Sequence, residues 1–224
     1  VMTLRDDTGT ADRVLFDEYQ VIYEDLLDVM VDFMSGYTRP ESGKAIFIQN
    51  GEERQITRKA MLTSLLSDIC FKVFSETPII NNEVINRNDI TTVTSNSRRR
   101  ILTALLRTEL EPNLGLSGFG QDVSIMRSTL IRTGILSTDS VPRINLSPEI
   151  EPAENSQRIS RMIGVIEQFF LETRQAGAQS FSLLYERLTG LEFGIGLRRG
   201  LIPIYIAVVL HEHRKDIVLT DRFG

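Results

Sequence analysis

The sequence predicts a mainly α fold: helical subdomains with one or two small β-hairpins, a winged-helix-like arrangement being an option for either subdomain. Three observations lead there. Apolar residues recur three and four apart through most of the long segments, the spacing of one helical face. A single stretch, residues 45–56, alternates and centres on Asn50-Gly51, the favoured two-residue hairpin turn. Proline and glycine clusters separate these segments at helix-like intervals.

In chain order, residues 1–10 are polar with Gly9 and read as frayed. Asp12 can cap a helix to about Met34. Its apolar positions Leu15, Tyr19, Ile22, Leu26, Val29 and Phe33 form a heptad seam, and its other faces are acidic (Asp17, Glu18, Glu24, Asp25, Asp28, Asp32). This predicts a helix packed on its own domain, with a coiled-coil contact to a partner segment as the alternative. Residues 36–43 are a loop broken by Pro40, and the hairpin follows. Thr57 caps a helix over 58–75 whose broad apolar stripe includes Cys70, predicting a packed core thiol. Thr77-Pro78 ends it. Asn81 and Asn82 can cap a short helix through Ile85, and Asn86 and Asn88 favour a turn. Ser95 or Ser97 caps a helix over 98–110, and Asp122 caps another to about Thr133, closed by Gly134. Residues 137–152 carry three prolines and no periodicity, and read as a linker. Helices are expected over 153–176, 179–188 and 201–214, with Pro203 in the first turn of the last, and a strand over 216–220. The expected domains are therefore 1–136, the linker 137–152, and a winged-helix-like 153–224. Val1, and Gly224 just after a strand-like run, suggest a piece of a longer polypeptide.

The net charge of -5 argues against a protein that coats nucleic acid over its whole surface, though not against a local basic patch. One cysteine excludes an internal disulfide and a thiolate metal cluster, and suits a reducing cytoplasm. No apolar run approaches the roughly 20 residues of a membrane span. No secretory signal pattern is present.

Two near-motifs fail on position. Residues 38–45 (TRPESGKA) lack the first glycine and the final Ser or Thr of a phosphate-binding loop, which leaves Lys44 a surface lysine. Residues 194–200 (GIGLRRG) place Arg199 where a dinucleotide fingerprint needs its third glycine, and read as a tight turn before a helix. His211 and His213 are two apart on a helix and face different ways, so they read as end-of-helix residues and not as a metal pair. No nucleophile–histidine–acid set can be assembled, so no enzyme, cofactor or metal is expected. Arginines remain: Arg87, Arg98, Arg99, Arg100 and Arg107 in one span, and Arg198 with Arg199 in another. Placed at a helix start, Arg98–Arg100 would oppose the helix dipole, which points to an anionic partner such as a phosphate backbone. Pairing with the acidic first helix is the competing reading. The expected nucleic-acid contacts are Arg87, Arg98, Arg99, Arg100, Arg198 and Arg199.

The runs SDICFKVFSETPIINNEVINR (67–87), SRRRILTALL (97–106), LGLSGFGQDVSIMRSTLIRTGIL (114–136) and FGIGLRRGLIPIYIAVVLHEHRKDIVL (193–219) resemble the region downstream of the nucleotide-binding domain in very large P-loop ATPases of bacterial phage-defence clusters, the BREX type. The resemblance covers residues 60–220 as a pattern. The family's ATP-binding motif has no counterpart here, so no catalytic residue carries over. It implies a cytoplasmic, non-catalytic helical module. The implied partners are the remainder of the parent ATPase, double-stranded DNA or other defence subunits. A protein-interaction module using the heptad helix is the alternative.

Overall fold

The computed structural model describes residues 12–220. The expected frayed segment at 1–10 lies outside them. The fold is mainly α with one two-stranded hairpin. The chain divides into two compact units, 1–71 and 72–224, and not at the expected linker.

The first unit opens with α1 (Arg13–Thr38). Asp12 caps it as expected, its carboxylate accepting from the Leu15 amide at 3.1 Å. The helix runs past Met34 until Pro40, which opens a short 3-10 turn (Pro40–Ser42). Strands β1 (Phe47–Gln49) and β2 (Glu52–Arg54) pair antiparallel, Phe47 opposite Arg54 and Gln49 opposite Glu52. Asn50 and Gly51 both have positive φ (53° and 80°), as the twist-matching turn between them demands. Helix α2 (Lys59–Val73) follows. Thr57 does not cap it; its hydroxyl lies 3.7 Å from the Met61 sulfur. Two further expectations fail in this part of the chain. No residue of α2 is buried, and Cys70 is exposed instead of being a core thiol. In α1 only Gly36 is buried; Leu15 and Tyr19 are half-buried, and the rest of the seam (Ile22, Leu26, Val29 and Phe33) is exposed and not packed on its own domain. Apart from Gly36 and Pro40, no described residue of this unit is buried.

Among the described residues, the buried apolar side chains other than Pro40 all lie in the second unit, from Pro78 onward. Helix α3 spans Thr92–Leu105, starting six residues before the expected position, and is capped by the Thr91 hydroxyl. Helix α4 (Gln121–Met126) has Gly120 and not Asp122 at its N-cap, and continues as a π turn (Arg127–Ile131) in which the Arg132 amide reaches the Arg127 carbonyl at 2.8 Å. Hydroxyls of Thr129 and Thr133 donate to the carbonyls of Ile125 and Thr129 at 2.7 Å each, satisfying groups that the wider turn leaves open. Gly134 closes the segment at φ 70°, as expected. Helices α5 (Ala153–Ala176), α6 (Phe181–Thr189, capped by Ser180) and α7 (Ile202–His213) complete the unit.

Helix α7 is apolar all round and is the centre of this core. Ile202, Ile204, Tyr205, Val208 and Val209 are fully enclosed, and α3 and α5 pack on it. The interior-facing stripe of α5 is the expected one: Ile159, Met162, Ile163, Ile166, Phe169 and Phe170 are all buried. Residues 137–152 are not a free linker. Leu136 bridges Ile144, and the Ser156 hydroxyl bonds the Pro148 carbonyl, holding the segment to the helices on either side. No strand forms over 216–220, nor anywhere among the described residues of 153–220, so the wing of a winged helix is not formed there.

Candidate nucleic-acid interface

The arginine-bearing loops come together because of glycine. Gly194 and Gly196 have φ of 64° and 57°, a region costly for any side chain. A Cβ on Gly196 would strike the Phe74 ring, and one on Gly200 would press on the Ile85 and Arg87 carbonyls. The loop can therefore run flush along residues 74–88. The Glu76 amide donates to the Gly194 carbonyl at 3.0 Å. Farther along, the Gly200 amide donates to the Arg87 carbonyl at 2.8 Å, and the Arg199 amide to the Asn88 side chain at 3.3 Å. These glycines serve close backbone approach, which explains why the segment imitates a dinucleotide fingerprint without its third glycine.

The consequence is that four arginines from three stretches of chain are brought together along this loop pairing. Arg98, on α3, donates to the Gly200 carbonyl at 3.1 Å. Burial makes its charged form less favourable, although it keeps its proton at any physiological pH. Arg87, held by its Nε to the Glu83 carbonyl at 2.9 Å, and Arg198 and Arg199 are exposed around it. Tyr185 of α6 joins them: burial raises its phenol pKa, and the charges of Arg98 and Arg199 oppose that rise. Among the described residues, no carboxylate forms an ion pair with Arg87, Arg98, Arg198 or Arg199. An open hollow of about 650 Å³ adjoins Arg87, lined by Ile80, Asn81, Asn82, Glu83 and Asn86.

The remaining expected contacts lie elsewhere. Arg98–Arg100 sit in the middle of α3 and not at its start, so the helix-dipole argument for them fails. Arg100 is 3.0 Å from Asp122, and that hydrogen bond holds the carboxyl below its ordinary range. Arg99 is exposed and shares in no ion pair among the described residues. Sequence reasoning missed Tyr185 and Asn88: a tyrosine on a short amphipathic helix and an asparagine in a turn carry no signal of their own.

Both histidines are engaged. His211 is buried, its Nδ1 2.6 Å from the Leu105 carbonyl and its Nε2 2.9 Å from the Arg214 guanidinium. A carbonyl only accepts and a guanidinium only donates, which places the hydrogen on Nδ1 of a neutral ring. His213 lies 3.5 Å from Glu167. No group of three or more His, Cys, Asp or Glu among the described residues is arranged to hold a metal ion. No helix of the described residues is long and apolar enough to cross a membrane. No protein-family model, curated protein or solved structure matches the chain.

Proposed function

We propose that this chain is a non-catalytic helical module of a large phage-defence ATPase, acting in the bacterial cytoplasm, and that it contacts double-stranded DNA through Arg87, Arg98, Arg198 and Arg199. The observation that carries the DNA contact is the convergence of four arginines, none of them ion-paired with a carboxylate among the described residues, along one loop pairing of an otherwise acidic protein. Unpaired arginines at that density suit a ligand that is itself a row of anions. The ATPase context comes from the sequence resemblance, and a phosphate-binding loop in the remainder of the parent polypeptide is its direct test.

The contact is tested by fluorescence anisotropy with a short duplex and a single strand across a salt series. Duplex binding is expected, weakening steeply with salt. Replacing Arg87, Arg198 and Arg199 by Ala should lower the logarithmic salt slope by about 0.9 for each phosphate that is no longer neutralised. Arg100→Ala, already neutralised by Asp122, should change it little. Absence of binding at low salt would remove the DNA contact; preference for the single strand would redirect it.

A second reading has its own observation. The apolar face of α1 is exposed along most of its length, Val29 at 68% and Phe33 at 63%, as a protein-interaction helix would be.

A further inference from the structure

We infer that α1 docks a basic amphipathic helix of a different chain, and not a second copy of itself. The inference rests on the reading of α1 as an interaction helix and names the chemistry of its partner.

Two features define the occupant. The first is the seam. Ile22, Leu26, Val29 and Phe33 follow one another four and three apart, and all are exposed on a helix that buries nothing but Gly36. That spacing fits one partner helix laid along the axis. Met30 widens the apolar strip on one side. The second feature is charge. Between Arg13 and Thr38 there are six carboxylates and one arginine, a formal charge of -5, equal to that of the whole chain. Three of the six, Glu18, Asp25 and Asp32, recur every seven residues and border the seam along one side. The other border, Phe16, Tyr23 and Met30, is uncharged.

Self-association cannot satisfy this pattern. In an antiparallel pair the acidic border would face its own copy, carboxylate against carboxylate. In a parallel pair it would face the uncharged border, leaving Glu18 and Asp25 without a counter-charge from the partner. Flanking charges decide partner choice in helix pairs, and a repulsive pairing discriminates as strongly as an attractive one. Lysines or arginines beside an apolar seam answer both features. Lys44 already reaches Asp32 of this border from the same unit and shows how a basic side chain sits there.

The test uses the 224-residue chain and two labelled helical peptides of about four heptads. They share a leucine seam and carry either Lys or Glu beside it. Anisotropy should show the lysine peptide binding roughly fivefold tighter, from the Glu18 and Asp25 border pairs. Reversing the border (Glu18→Lys, Asp25→Lys, Asp32→Lys) should invert the preference. Leu26→Asp with Val29→Asp adds negative charge and should abolish binding; survival of binding would mean adhesion to acidic surface and overturn the inference. Light scattering of the chain alone should give a monomer, whereas a dimer dispersed by Leu26→Asp would assign the face to a second copy. Equal affinity for both peptides would remove the basic partner alone, and binding of neither would remove the interaction helix itself.

Discussion

At the scale of single residues, the close approaches make the sharpest predictions. A side chain on Gly200 would meet the carbonyls of Ile85 and Arg87, neither of which can rotate away. Gly200→Ala should cost about 2 kcal/mol or more in chemical denaturation, and should loosen the arginine cluster as it does. His211→Ala removes a side-chain donor to the Leu105 carbonyl in the interior, and should cost about 1–3 kcal/mol. Asp122 sets a pH dependence. The hydrogen bond from Arg100 lowers its folded pKa, so its contribution is fully present above the unfolded value of ~3.9 and is lost as pH falls through the lowered folded value. Because Arg100 is largely exposed, the effect stays under about 1 kcal/mol. Asp122→Asn should therefore flatten the acid limb of the stability profile by lowering its neutral plateau by that amount while leaving the acid end unchanged, as urea midpoints between about pH 7 and about pH 2 would show.

At the scale of elements, periodicity was a sound guide where the pattern was long. The stripe of α5 and the Asn-Gly hairpin were legible from residue types alone, because a wide apolar face and a positive-φ turn each admit few sequences. Helix α3 was misplaced for a physical reason. Its first turns read Thr92, Val93, Thr94, Ser95 and Asn96, residues of low helix propensity that usually mark a cap. Tertiary packing overrides that preference here: Thr94 and Ser97 are buried, one bonded to Thr91 and the other to Gln121. The arginine cluster was half legible. Both arginine groups stood out, but their convergence depends on a loop pairing between residues more than a hundred apart, which no local pattern encodes. A seam also says nothing about whether it is covered. Leu26 and Ile163 look alike in sequence, yet one is exposed and the other enclosed. Ile163→Ala should cost about 2–5 kcal/mol, and Leu26→Ala should stay within about 0.5 kcal/mol, by the same denaturation measurement.

At the scale of the whole molecule, the two units differ in kind. Residues 72–220 enclose a core on α7, while residues 12–71 carry helices and a hairpin with almost nothing buried. Backbone amides of the first unit should therefore exchange far faster than those of α5 and α7, and a bound partner helix should slow them, which hydrogen-exchange mass spectrometry would resolve. The position of α7 has one more consequence. The helix on which the second core is built comes after every other described helix in the chain. A growing polypeptide on the ribosome holds α3, α4, α5 and α6 with their greasy faces unsheltered until about residue 210 has emerged, so the interior closes late and all at once. Nascent chains arrested just before Ile202 should stay protease-sensitive and bind chaperones; emergence of residues 202–213 should convert them abruptly.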